Sequence, residues 1–150
     1  MIKDCKIGKD VTIIEPVNLY GCVIEDNCFI GPFVEIQNDC FIGKRTRISS
    51  HSFICEGTII GQDCFIAHGV MFVNDLFNDS KSYKDFKRHK DDLGMKKIVM
   101  IGDNVRIGSN ATILPVSIDD NVIIGAGTVV TKSIPSDCIV KGVPGRIKEL

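Results

Sequence analysis

The sequence predicts an all-β chain whose short strands stack into a parallel coil, and three observations predict it. Isoleucine stands at Ile24, Ile30, Ile36, Ile42, Ile48, Ile54, Ile60 and Ile66, and Phe72 takes the next sixth position. Four places after each isoleucine comes a small or compact residue: Cys28, Val34, Cys40, Thr46, Ser52, Thr58, Cys64 and Val70. Glycine often follows the isoleucine directly, as at Gly31, Gly43 and Gly61. A helix repeats about every 3.6 residues and a strand about every two, so this spacing belongs to something larger than either.

Each hexad reads as a strand plus a corner. Three hexads make a coil of ~18 residues with a triangular section, which buries one large aliphatic per side and a smaller residue beside each corner. Equivalent positions then lie above one another at the ~4.8 Å spacing of paired strands, so isoleucines form ladders and backbone groups pair between coils. Periodicity leaves the hand of the coil open.

The elements follow in order. Residues 1–150 form one domain, about the length of a single core. The step shortens to five from Leu19 to Ile24 and again from Ile113 to Ile118, which takes a residue out of one corner at each place. Residues 74–98, "NDLFNDSKSYKDFKRHKDDLGMKKI", carry no hexad and read as an inserted loop. Its charges and its aromatics Phe77, Tyr83 and Phe86 suit a flap that docks on something. The repeat resumes at Ile101, Ile107, Ile113, Ile118 and Ile124. Beyond Val130 the tail, about 132–150, leaves the repeat and is expected to close the open end of the column. Side chains just before the inward aliphatics point outward. On one face these are Val23, Phe41, Ile59 and Met100, a wholly apolar column, while the other faces are interrupted by Arg47 and Arg106 or begin with Glu35. A contiguous apolar strip of this kind marks an interface.

Composition excludes several classes. With 18 basic and 19 acidic residues there is no broad field to attract nucleic acid or an anionic membrane. The chain does not open on a basic region followed by an apolar run, and no stretch approaches the ~20 apolar residues that span a bilayer. A soluble cytoplasmic protein without nucleic-acid or membrane partners is expected. The seven cysteines are an odd number without a C-x-x-C pair, which suits neither a disulfide framework nor a structural zinc site. They read as small hydrophobes.

The recurring aliphatic-G-x-x-small-x pattern, over nearly the whole chain, resembles the bacterial hexapeptide-repeat acyltransferases. That resemblance implies a left-handed parallel β-helix and a homotrimer, with the apolar column packed against neighbouring subunits and active sites between them. Clefts in such an assembly arise where two prisms meet and where a loop leans across. Around the insertion the sequence reads "SSHSFICEG", "FIAHGVMFVND" and "IGSNATILPV". These segments resemble the members that transfer an acetyl group from acetyl-CoA to the amino group of a UDP- or dTDP-linked amino sugar, particularly a 3-amino sugar, in surface polysaccharide biosynthesis. The "FVND" ending at Asp75 is similar to that subgroup's asparagine just before the loop.

Acyl transfer to nitrogen needs an unprotonated amine at attack distance and a receiver for its proton. Histidine suits the proton transfer. His51 and His68 are 17 residues apart, against a coil of 18, and should share a corner on adjacent coils; His89 rides the loop. Asn74 and Asp75 can hold the amine, because an amide oxygen and a carboxylate accept its hydrogens. Their bland alternative is turn formation at the loop entrance, as His51 between Ser50 and Ser52 could be a hydroxyl-satisfied corner. The amine could also lose its proton late, to water or to the departing thiolate, leaving no side chain as obligatory base. By resemblance "IGSNATIL" and "IIGAGTVVTKSIP" form the cofactor wall, with Gly108, Ala126 and Gly127 lying against the pantetheine arm and Lys132 and Arg146 available for its phosphates. "KGVPGR" resembles the family's closing G-x-P-A-R, with Gly145 in place of alanine.

Two rivals come from other classes. A metal-dependent hydratase on the same prism needs three histidines converging on zinc, two of them a few residues apart in one chain, and His51, His68 and His89 lack that spacing. A non-catalytic scaffold would leave the polar-aromatic loop without a purpose.

Overall fold

The computed structural model describes residues 1–75 and 98–150. Nearly all of the expected loop, with His89 and its three aromatics, lies outside them. The described residues contain strands and turns only, arranged as three sheets of 7, 6 and 8 strands, parallel except for the last strand, that form the sides of a solenoid. This is the all-β parallel coil expected, and it agrees with the left-handed β-helix of the resemblance.

Sheet 1 runs through Asn18–Tyr20, Glu35–Ile36, Phe53–Ile54, Met71–Phe72, Thr112–Ile113 and Val129–Val130. Sheet 2 runs through Val23–Ile24, Phe41–Ile42, Thr58–Ile60, Val99–Ile101 and Ser117–Ile118. Sheet 3 runs through Phe29–Ile30, Arg47–Ile48, Phe65–Ile66, Arg106–Ile107, Ile123–Ile124 and Cys138–Lys141. Their registers set the isoleucines directly above one another. Ile24, Ile42, Ile60, Ile101 and Ile118 form one ladder, and Ile30, Ile48, Ile66, Ile107 and Ile124 form another. These ladders are almost wholly shielded from solvent. Each buried isoleucine contributes about 1.5–3 kcal/mol over an exposed one.

The corner residues explain the second half of the pattern. Thr46 Oγ1 donates to Gly61 O at 2.8 Å, Ser52 Oγ to Ala67 O at 2.8 Å and Cys28 Sγ to Gly43 O at 3.0 Å. Small hydroxyls and thiols are tolerated in this core because the coil above supplies a carbonyl for each. All seven cysteines are free thiols, six of them buried.

Both shortened steps fall at the same place, the corner between sheets 1 and 2. The phase therefore survives them, and it survives the insertion: Thr58, Ile59 and Ile60 pair with Val99, Met100 and Ile101. On sheet 2 the outward ladder reads Lys6, Val23, Phe41, Ile59, Met100 and Ser117. Its four apolar members are only half-buried within one chain.

The tail holds a surprise. Ile134 bridges to Ile118 and Val140 sits over Ile124, so the first part of the tail still winds round the column. Only Arg146–Glu149 breaks away, returning antiparallel along Cys138–Lys141. The turn between them presses on the last coil. A Cβ added to Gly145 would stand 2.7 Å from Val140 Cγ1 and 3.1 Å from Thr128 Cγ2, which accounts for glycine in place of the usual alanine. No helix among the described residues is long and apolar enough to cross a membrane.

Candidate active site

The corner between sheets 3 and 1 collects most of the candidates. Five successive levels of this corner each carry one residue in the left-handed region: Phe33 (φ 62), His51 (φ 65), Gly69 (φ 64), Asn110 (φ 61) and Gly127 (φ 69). Backbone bonds tie the levels together: His51 N donates to Pro32 O at 3.2 Å, Gly69 N to Ser50 O at 3.0 Å, Asn110 N to His68 O at 2.9 Å and Gly127 N to Ser109 O at 2.9 Å. His51 and His68 are therefore on adjacent levels, one residue out of register, and both side chains are exposed.

Two levels higher the wall becomes small. A Cβ on Gly108 would lie 2.4 Å from Ala126 N, so the coils approach more closely than any side chain permits. A Cβ on Gly127 would meet nothing within 4 Å. Gly127 is glycine for its backbone and Gly108 for its neighbour. The exposed Ala126 completes a smooth strip against which an extended chain can lie.

The other candidates stand elsewhere. Asn74 and Asp75 leave sheet 1 at its far edge, the corner with sheet 2. From His68 the chain turns at Gly69 (φ 64) and then runs along sheet 1 to Asn74, a span of up to ~20 Å. Asn74 Nδ2 donates to Glu56 O at 3.3 Å. Below it Glu56 N donates to Gln37 Oε1 at 3.1 Å, Gln37 Nε2 to Glu35 Oε1 at 3.0 Å and Asn18 Nδ2 to Glu35 Oε2 at 2.9 Å. The entrance to the insertion thus rests on a hydrogen-bonded chain climbing from the early coils. Burial, then the charge of Glu35, pushes the Tyr20 phenol up beside this chain. One amide N–H of Asn74 is thus engaged by the backbone, and an amide oxygen is chemically an acceptor.

The phosphate candidates also divide. The turn before Arg146 sits on Val129, through Val129 N to Gly142 O at 3.1 Å and Gly145 N to Val129 O at 2.8 Å, which brings Arg146 near Gly127. Lys132 follows Val129–Val130 toward the Asn74 side. Both are exposed.

Sequence reasoning passed over Phe33, and a signal was present. The third residue after each inward isoleucine is Asn, Asp or Gly, as at Asn27, Asp39, Gly57, Asp63, Gly69, Asn104, Asn110, Asn121 and Gly127; Phe33, Arg45 and His51 depart from that rule. The network of Asn18, Glu35 and Gln37 had no such signal, because it depends on which residues the coil superposes.

Two family models match the chain: the bacterial transferase hexapeptide (six repeats) over residues 21–56, and the hexapeptide repeat of succinyl-transferase over 98–132. Each match falls on a run of hexads, one before the insertion and one after it. Galactoside O-acetyltransferase of Escherichia coli (strain K12) is 52% identical over 50 residues, which are 33% of this chain and 25% of that protein. Serine acetyltransferase of Synechococcus elongatus is 45% identical over 53 residues, 35% of this chain and 22% of that protein. The matches thus span about a quarter of each relative. Among solved structures, a point mutant of AntD, an N-acyltransferase from Bacillus cereus in complex with dTDP and coenzyme A, superposes with a TM-score of 0.80 at 22% identity, covering 96% of this chain and 82% of that one. Galactoside acetyltransferase in complex with coenzyme A superposes with a TM-score of 0.65 at 27% identity, covering 98% of this chain and 64% of that one. The hexapeptide coil is therefore shared along nearly its full length with transferases.

Proposed function

We propose that this hexapeptide chain is an acetyl-CoA-dependent N-acetyltransferase acting on the amino group of a UDP- or dTDP-linked amino sugar, with a 3-amino sugar as the preferred class. The observation that carries it is the shared corner: His51, His68, Gly108, Ala126 and Gly127 lie along one edge of the solenoid. Acetyl-CoA is the co-substrate. Its pantetheine arm lies along Gly108, Ala126 and Gly127, Arg146 is the nearer cation for its phosphates, and the thioester then falls at the level of His68. Neighbours whose structures hold coenzyme A support that co-substrate, and the dTDP in the AntD structure suits the acceptor.

Chemistry follows from the positions. The sugar amine gives one N–H to Asn74 Oδ1 and is aimed at the thioester carbonyl. Carbon–nitrogen bond formation places negative charge on the carbonyl oxygen and positive charge on the amine. Collapse expels the CoA thiolate, and the amine proton passes to His68, to water or to that thiolate. Because His68 and Asn74 occupy opposite edges of sheet 1, one amine does not reach both within a chain. A site using both is completed by a neighbouring subunit. The outward apolar ladder of Val23, Phe41, Ile59 and Met100 gives a homotrimer its contact surface.

One observation favours a second reading. The most similar curated segments include O-acetyltransferases, and the same edge could acylate a sugar hydroxyl. Thiol release from acetyl-CoA, measured with a panel of UDP- and dTDP-linked amino sugars and their hydroxyl analogues, tests both. Turnover with amino sugars alone supports the proposal; turnover only with the hydroxyl sugars, or with neither, overturns it.

A further inference from the structure

Twelve non-glycine residues among the described ones adopt positive φ, and nine of them are Asp or Asn, whose short polar side chains tolerate it. Arg45, Phe33 and His51 are the exceptions. Arg45 is accounted for by Asp63 one coil above, with Nε to Oδ1 at 2.7 Å and Nη2 to Oδ2 at 3.0 Å. The other two have no such return. They are consecutive levels of the same corner, their ring centroids are 4.9 Å apart at 33°, and Phe33 remains 57% exposed. Histidine is found in this region more readily than most residues, but a phenylalanine held there with most of its ring left in water calls for an occupant. Above His51 the aromatic wall ends, because the next level is Gly69.

Beside Phe33 lies a hollow of about 360 Å³ lined by Pro16, Val17, Asn18, Phe33, Val34 and Glu35. That is near the small end of the ~300–1,000 Å³ found for ligand pockets. Its one charged group is fixed: Glu35 receives Asn18 Nδ2 on one carboxylate oxygen and Gln37 Nε2 on the other. We propose that Phe33, backed by His51, is the stacking surface for the base of a nucleoside diphosphate, and that Glu35 accepts an N–H from the edge of that base. Planar bases stack on exposed aromatic rings whatever their sequence identity, while a carboxylate selects an edge that carries a donor.

The inference rests on the sugar-nucleotide reading above. From Phe33 to Gly127 the corner climbs four levels, ~19 Å at the spacing of paired strands. A base held at Phe33 sends its diphosphate and sugar up the edge toward His68, while acetyl-CoA comes down it from Gly127. The adenine of coenzyme A is the other source of a base, and the small-residue wall in the late coils places the cofactor away from Phe33.

Calorimetric titration of dTDP, UDP, coenzyme A and inorganic pyrophosphate into the wild type, Phe33→Asn and Phe33→Tyr tests the proposal without turnover. Asparagine fits the left-handed backbone better than phenylalanine, so Phe33→Asn is expected to melt within about 2 °C of the wild type. It should bind dTDP and UDP about tenfold or more weakly, with pyrophosphate and coenzyme A unchanged. Phe33→Tyr keeps the ring and should bind within about twofold of the wild type. Unchanged dTDP and UDP binding in Phe33→Asn overturns the stacking site, and so does a loss confined to coenzyme A. Failure of the wild type to bind either nucleotide overturns the sugar-nucleotide reading itself.

Discussion

Gly108→Ala and Gly127→Ala make a matched pair, because two glycines on one corner are there for different reasons. At Gly108 the added Cβ would stand 2.4 Å from Ala126 N, 2.8 Å from Ala126 Cα and 2.8 Å from Gly125 C. Carbon contacts settle at about 3.5–4.0 Å, so roughly 1 Å of separation is missing. The obstructing atoms are backbone and do not rotate aside. They are also tied down, since Gly108 N donates to Ile124 O at 2.8 Å and Gly127 N to Ser109 O at 2.9 Å. Overpacking of this kind costs about 1–3 kcal/mol, and rigid obstruction puts Gly108→Ala at the upper end. For a chain of this size that lowers Tm by about 6–12 °C. At Gly127 there is no atom within 4 Å and only the φ of 69 opposes alanine, a cost of about 1–2 kcal/mol and a fall of about 2–8 °C. Thermal unfolding followed by circular dichroism reads both. A Gly108→Ala protein as stable as Gly127→Ala would refute the claim that close coil approach dictates glycine there.

Three further outcomes are expected. Ile54 is fully buried and stacks on Ile36, so Ile54→Ala leaves a cavity worth about 2–5 kcal/mol, measurable as a Tm fall of about 4–20 °C; a loss under ~1 kcal/mol would deny the ladder its role. Burial pushes the thiol of Cys40 up to about 12 and those of Cys55 and Cys64 to about 11, above the ordinary 9.0. Raised folded values mean that this stability is complete below about pH 9 and is lost as pH climbs toward 11 and 12, so Tm should hold to about pH 9 and then decline; alkylation at pH 8 should reach half-exposed Cys5 first, and equal labelling of Cys40 in the folded protein would contradict the burial. His68→Ala should cost under about tenfold in kcat with an amino-sugar acceptor, because an amine can release its proton late, whereas a hydroxyl acceptor would lose about 10²–10⁴-fold without its base.

The fold was legible because every level of the coil sets the same demand. Ile42, Ile60 and Ile101 face identical neighbours, so the sequence repeats what the packing repeats, even across 25 residues without a hexad. The pairing of His51 with His68 followed from the same arithmetic. Placing Asn74 beside them did not follow, because six residues along the chain move a side chain to the next corner, and the shortened steps show that counting alone misleads at the corner of sheets 1 and 2. The tail was less regular in sequence than in space: Ile134 follows Val130 by four residues and Val140 follows Ile134 by the usual six, so one contracted corner hides the continuation of the ladders. Phe33 was hidden for a different reason. Its meaning lies in a backbone angle, and only comparison with the asparagines and aspartates at equivalent places brings it out.

The central claim, that the donor edge of one chain works with the loop entrance of its neighbour, is tested most directly by mixing two inactive proteins. Gly127→Phe blocks the cofactor wall at a level whose backbone accepts phenylalanine, as Phe33 shows with a nearly equal φ. Asn74→Ala removes the acceptor proposed for the amine. Unfolded together and reassembled in equal amounts, these variants should give sites that combine an intact wall from one chain with an intact asparagine from the next, and acetyl transfer should return to about a quarter of the wild-type rate. A mixture as inactive as its components would mean that wall and asparagine serve the same site from the same chain.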